Sequence, residues 1–244
     1  EEHLGSLKGK KIVFFGDCRN NVSIALMIGA VKMGMHFVAC GPQKLFPNQA
    51  LYKKALEIAK ETGGRVIFES DTELASTDAD IFYTDVWVSM GEPKEVWKER
   101  IALLEEYRIT DELMSFGKEN AIFMHCLPAF HDLETEVGRD IFEEFGVDEM
   151  EVADSVFQSK QSVVFDQAEN RLHTIKAVMV ATIGEIEEIQ NGQYNYFIPY
   201  VEKLSETPKI FKTNADGDSH ALRLYHGIGE VKDNYPAIYH IDEF

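Results

Sequence analysis

Cysteine is scarce in this chain, positive charge is in deficit, and both a long apolar run and a glycine-rich dinucleotide fingerprint are missing. The 244 residues hold three cysteines, Cys18, Cys40 and Cys126, with no CxxC pair among them. An odd set in a long chain argues against a disulfide framework and offers no zinc-ligand spacing, so reduced thiols and no metal are expected. No apolar stretch approaches the roughly 18 residues of a membrane-spanning helix. The charged start Glu1-Glu2-His3 lacks the pattern of a signal peptide, and a cytoplasmic location is the expectation. Lysine and arginine number 24 against 42 aspartates and glutamates, a formal net charge of -18. Such a surface repels phosphate backbones and anionic lipid, so neither nucleic acid nor membrane is an expected partner. A total charge leaves open a small anionic substrate held by a few arginines.

What is present is an alternation of short β-rich apolar runs with longer helical patterns, the mark of βαβ units and a parallel sheet. The runs predict strands at Lys11–Phe15, His36–Cys40, Arg65–Glu69, Ile81–Asp85 and Ala121–Leu127, with a further short strand at Glu151–Ala153. Between Asn21 and Gly34, Ile24, Met27, Ile28 and Val31 share one helical face, and Pro93 opens a helix whose Val96, Trp97, Ile101 and Leu104 do the same. A long helix is expected from about Ser162 to Ile189, with Gly192 as its stop. The fold class is therefore α/β, a Rossmann-like parallel sheet flanked by helices, over residues 1–190. Residues 191–244 form an extra C-terminal segment in which periodicity weakens and turn signals gather. That segment carries Tyr194, Tyr196, Phe197, Tyr200, Phe211, Tyr225, Tyr235 and Tyr239, too aromatic for a simple linker.

In an open parallel sheet ligands bind beyond the carboxyl ends of the strands, so the loops there are the first place to look. After the first strand comes Gly16-Asp17-Cys18-Arg19-Asn20-Asn21, with one glycine where GxGxxG would have three. The second strand ends in Cys40-Gly41-Pro42, without the acid that a nicotinamide ribose requires. Both features weigh against a dinucleotide cofactor. Asn20 and Asn21 read equally well as helix caps. The fourth strand runs into Asp85, with Ser89 four residues later. A carboxylate there can accept hydrogen bonds from a substrate ammonium, and both residues read equally well as turn formers. The fifth ends in His125-Cys126-Leu127-Pro128, where proline turns the chain and leaves carbonyls free for an amine. His125 and Cys126 are neighbours on a strand and point to opposite faces, which disfavours a histidine-activated thiol. Arg171, in a charged stretch of the long helix, is either a solvated residue or an anion-binding fork.

Four blocks, GDCRNNV, DVWVSMGEPKEVWKERIALLEEY, MHCLPAFHD and VFDQAENRLHTIKAVMVAT, stand in the order and spacing of the ornithine carbamoyltransferase family, which the chain resembles from about Glu1 to Ile183. HCLPAFHD is similar to the bacterial form. The resemblance implies the second, ornithine-binding domain of that family. It also implies site roles. Asn21 looks like the residue that holds the ornithine carboxylate, with Asp85, Ser89 and Met90 around the α-amino end. Cys126 and Leu127 resemble the pair whose side chain and carbonyl surround the δ-amino group and carbamoyl moiety, and Arg171 matches the arginine that reaches the carbamoyl oxygen. Cys126, Arg171 and Asp85 are thus the catalytic candidates. The implied reaction joins the neutral δ-amine of ornithine to the carbamoyl group of carbamoyl phosphate, giving citrulline and phosphate without metal or organic cofactor.

The chain also departs from the family pattern. Neither the Ser-x-Arg-Thr-Arg phosphate clamp nor the His-Pro-x-Gln motif occurs in the 244 residues. Ornithine is therefore the expected partner, and carbamoyl phosphate only together with a complementary domain, with the chain alone inactive or nearly so. A homo- or hetero-oligomer is compatible with this, while the family's trimer is not assumed. The residues after Gly192 resemble nothing in the family. An alternative reading is a noncatalytic amino-acid-binding or scaffold module on the same fold.

Overall fold

In the computed structural model, five strands form one parallel sheet of order β3-β2-β1-β4-β5. Residues 1–88 and 94–183 are described, with the strand segments 185–191, 194–200, 209–211 and 223–225. The chain enters through β1 (Lys11–Phe15), α1 (Asn21–Lys32), β2 (His36–Cys40), α2 (Gln49–Thr62), β3 (Arg65–Glu69), α3 (Thr72–Ser76) and β4 (Ile81–Thr84). It continues through α4 (Lys94–Leu104), α5 (Asp111–Ser115), β5 (Ile122–His125), α6 (Glu136–Phe145), α7 (Asp154–Phe157) and α8 (Val164–Ile183). Two antiparallel pairs follow, β6 (Glu185–Asn191) with β7 (Tyr194–Tyr200) and β8 (Lys209–Phe211) with β9 (Arg223–Tyr225). The chain forms two compact units, Glu1–Ala168 and Glu169–Phe244.

Strand alternation sorts the core into two layers. Val13, Phe15, Phe82, Leu104 and Phe123 pack on one face of the sheet, and Ile12, Phe14, Met27, Val31, Phe37 and Tyr83 on the other. Each such side chain contributes about 1.5–3 kcal/mol by leaving water, and both faces of β1, β2 and β4 are covered. That is why these strands read as unbroken apolar runs.

Several elements end elsewhere than the sequence implies. The first helix closes at Lys32, because Gly34 adopts φ +70°, a left-handed conformation that ends a helix. The fourth strand stops at Thr84, where the Asp85 carboxylate accepts its neighbour's amide, Val86 N, at 2.8 Å. The fifth spans Ile122–His125 only, since Leu127 turns to φ +51° and Pro128 has no amide to give the ladder. The strand expected at Glu151–Ala153 is reduced to one bridge, Val152 with Ile109. The long helix ends at Ile183 instead of Ile189. Ile186 and Ile189 keep helical spacing but sit in β6, where β-branched side chains and pairing with β7 prevail. Gly192, the expected stop, lies outside the described residues, as do Tyr235 and Tyr239.

Asp80 anchors the end of the sheet opposite the loops just named. It is fully buried, accepts Lys11 N at 2.8 Å and the Lys118 ammonium at 2.8 and 2.9 Å, and receives Lys10 Nζ at 3.2 Å. Burial alone would raise its pKa, but these donors outweigh it and hold the carboxyl below its ordinary value of 3.8. A depressed folded pKa means stabilisation that is fully present above the unfolded value and is lost as pH falls through the folded one. Asp80→Asn is expected to cost about 2–4 kcal/mol at pH 7. Urea titrations of both proteins should show the gap narrowing only below about pH 4, and a pH-independent gap would refute the charge pairing.

Candidate functional site

The order β3-β2-β1-β4-β5 reverses direction between β1 and β4, and the loops after β1, β4 and β5 meet beside that switch point. The first of these loops is pressed against the β2 loop. A side chain on Gly41 would bring its Cβ to 2.3 Å from the Gly16 carbonyl oxygen, so only glycine allows this approach. Asp17 accepts from Arg19 and from Arg100 Nη1 of α4. Asn20 caps α1, its Oδ1 accepting from Ser23 N at 2.7 Å, and the other end of the same amide donates to Asp85 Oδ2 at 3.1 Å.

Asp85 is the hub. Besides Asn20 and Val86 N, it accepts the Cys126 thiol on Oδ1 at 3.1 Å. Burial, and then the Asp85 charge, push the Cys126 thiol up to about 12. It therefore remains protonated at neutral pH and serves as a donor, not a nucleophile. Cys18 is fully buried and its thiol is raised by that burial, which leaves it inert as well.

His125 and Cys126 go opposite ways from the end of β5. The His125 side chain is fully buried; its Nδ1 accepts from Leu127 N at 2.9 Å and its Nε2 lies 3.2 Å from Glu151 Oε1. Glu151, also fully buried, takes Phe130 N on the same oxygen at 2.8 Å. The carboxylate thus fixes the turn that carries Cys126 and Leu127 at Phe130 N and lies beside the His125 ring at its other end, where Nε2 makes no hydrogen bond. Gln167 of α8 completes the support, accepting His125 N at 3.0 Å and donating to the Tyr83 hydroxyl at 2.8 Å.

Of the residues singled out from sequence, Asp85 and Cys126 are in direct contact, with Leu127 next in the chain. Asn21, the first residue of α1, is exposed, and it is Asn20 that touches Asp85. Ser89 and Met90 lie outside the described residues. Arg171 is exposed on α8 and belongs to the second compact unit. Asn20 was legible only as a cap. Tyr83, Glu151 and Gln167 gave no local signal, since their partners lie 21 to 84 positions away in the chain. Among the described residues, His131, Asp132 and Asp154 bring potential ligand atoms within 4.8 Å of one another. A hydrogen bond of 2.8 Å from His131 Nδ1 to Asp154 and stacking of the ring on Phe157 account for that group.

The Asp/Orn binding domain of aspartate/ornithine carbamoyltransferase, as a sequence family, matches residues 8–182. The catabolic ornithine carbamoyltransferase of Treponema denticola is 54% identical over 183 residues, covering 75% of this chain and 54% of that protein. Its counterpart from Clostridium perfringens is 55% identical over 186 residues, covering 75% and 56%. Among solved structures, ornithine carbamoyltransferase from Pyrococcus furiosus superimposes with a TM-score of 0.63 at 39% identity, covering 73% of this chain and 51% of that one. The Gloeobacter violaceus enzyme gives 0.62 at 35% identity, with 75% and 54% covered. The chain spans about half the length of these relatives. With the switch-point sheet, the matched span and these identities together, the chain belongs to the aspartate/ornithine carbamoyltransferase family, of which it carries the Asp/Orn binding domain.

Proposed function

We propose that this chain binds ornithine at the β1–β4 switch point and supplies the ornithine side of carbamoyl transfer from carbamoyl phosphate, giving citrulline. The observation that carries this reading is the convergence of Asn20 and Cys126, from two other loops, on the Asp85 carboxylate. A carboxylate at the meeting of three loops recognises an ammonium, and the family resemblance assigns Asn21 and Ser89 to the substrate's other polar groups. The same resemblance assigns Met90 to the α-amino end.

In the transfer, the lone pair of the neutral δ-amine attacks the carbamoyl carbon. The new C–N bond forms, the C–O bond to phosphate breaks, and the proton that the amine gives up passes to the departing phosphate. Cys126 and the Leu127 carbonyl hold the amine beside the carbamoyl group, while Arg171 is assigned to the carbamoyl oxygen, where negative charge develops. Positioning and charge stabilisation suffice, without metal or organic cofactor. The phosphate is gripped by neither of the family's clamp motifs in this sequence, so the chain alone is expected to turn over several orders of magnitude more slowly than a complete site.

Calorimetry with L-ornithine, with and without phosphate, tests the binding half. The chemistry is tested by adding a carbamoyl-phosphate-binding domain and measuring citrulline. Saturable ornithine binding with citrulline formed only in the mixture is the expected result; no binding at millimolar ornithine refutes it. Binding without turnover in any mixture would instead identify a noncatalytic amino-acid-binding module.

A further inference from the structure

One face of α4 touches two of the three loops that meet on Asp85, and α4 itself follows the connection that Asp85 begins. Trp97 lies against Phe130 of the β5 turn, with ring centres 6.3 Å apart. Arg100, three positions on and so on the same side of the helix, donates through Nη1 to Asp17 Oδ2 in the loop after β1. The other oxygen of Asp17 accepts Arg19 N at 3.0 Å, and the Asp17 carbonyl accepts Asn20 N at 3.1 Å. The Asn20 amide in turn donates to Asp85 Oδ2 at 3.1 Å. Hydrogen bonds through Asp17 and Asn20 thus lead from α4 to the carboxylate. The Arg100 and Asp17 side chains are only 18% and 13% exposed, whereas Lys44 and Glu99, an ion pair on the same helix, are 59% and 76% exposed. Water and salt screen the second pair far more than the first.

We propose that Asp17 and Arg100 are a positioning pair through which α4 holds the loop after β1, so that Asn20 keeps its amide on Asp85 in the register that receives the substrate ammonium. The proposal rests on the ornithine-binding reading above. Buried Ile101 and Leu104 seat α4 in the core, which makes the helix a fixed point to hold against. Without the pair, the loop keeps its internal bonds at Arg19 N and Asn20 N but loses its tie to the helix. The bond from Asn20 to Asp85, at 3.1 Å, lies near the long end of the N–H···O range, so a small shift of the loop weakens it.

A double-variant cycle isolates the pair from anything else that either side chain meets. Asp17→Asn keeps an oxygen for Arg19 N and turns an NH2 toward the guanidinium, while Arg100→Met keeps the apolar stem and removes the charge. Each should weaken ornithine binding about tenfold, and the double variant by about the same factor rather than about a hundredfold. Arg100→Gln takes the place of Arg100→Met in the cycle should the latter fail to fold. Glu99→Gln, which breaks the exposed ion pair on the same helix, should leave the affinity unchanged; a loss as large as that of Arg100→Met would mean a general charge effect and overturns the proposal. The direct readout is the side-chain amide proton resonance of Asn20, identified by its loss in Asn20→Ser, which keeps a capping oxygen. In both single variants it should move upfield, the sign of a weaker bond to Asp85. An unmoved resonance, a moved resonance with unchanged affinity, or losses that simply multiply in the double variant likewise overturn the proposal. If the wild-type chain binds no ornithine, the functional reading falls, while the resonance still decides whether the pair holds Asn20 on Asp85.

Discussion

Asp85→Ala is expected to weaken ornithine binding by about two orders of magnitude, the largest effect of any single change in the cluster. The carboxylate collects donors from three sources, Asn20 Nδ2, Cys126 Sγ and Val86 N, all at 2.8 to 3.1 Å. A charge-assisted hydrogen bond to an ammonium contributes about 1.5–3 kcal/mol. Removing the carboxylate also releases the Asn20 amide and the thiol from their orientations, so a loss near 3 kcal/mol, or about 100-fold in Kd, follows. Asp85→Asn keeps an oxygen for Val86 N but turns a charged acceptor into a neutral one, and should fall between alanine and wild type. Calorimetry against L-ornithine measures each. Because Asn20 still caps α1 through Oδ1 whatever its other end does, the helix should survive the substitution. An alanine variant within threefold of wild type, with its unfolding midpoint retained, would remove Asp85 from the binding site.

The parts of this site that the sequence announced are those whose chemistry is local. Asp85 and Cys126 stand out because strand and turn signals place them at strand ends, and the family-like blocks around them are contiguous. The five parallel strands were legible for the same reason, since β1, β2 and β4 are covered on both faces and so are written as apolar runs. What local patterns could not show is the second layer of support. Glu151 looked like part of a short strand, yet it acts through Phe130 and His125, 21 and 26 positions earlier. Tyr83 looked like one more core aromatic, and its partner Gln167 lies 84 positions later. Helical spacing also misled at Ile186 and Ile189. Periodicity records which residues would share a helical face, and antiparallel pairing with Tyr194–Tyr200 is a non-local term that it does not contain.

The same buried pair yields the largest stability change expected in the chain. Glu151→Ala should cost about 3–5 kcal/mol, because it strands the buried Phe130 amide and leaves a cavity against the fully buried His125 ring. Glu151 and His125 are both fully buried, with Nε2 and Oε1 3.2 Å apart, and the same oxygen serves Phe130 N. Alanine would leave that amide without its acceptor, open a cavity beside His125, and free the turn from residue 126 to 130. Glu151→Gln preserves the shape and one acceptor oxygen for Phe130 N, so it should retain most of the stability. Denaturant titrations of Glu151→Ala, His125→Ala and the double variant complete a thermodynamic cycle. A double variant that loses little more than either single change would place the two residues in one coupled unit; losses that simply add would mean that Glu151 acts through Phe130 N alone. Ornithine affinity of Glu151→Gln supplies the functional arm. If the carboxylate fixes the Cys126–Leu127 turn through His125, the affinity must fall although the protein remains folded.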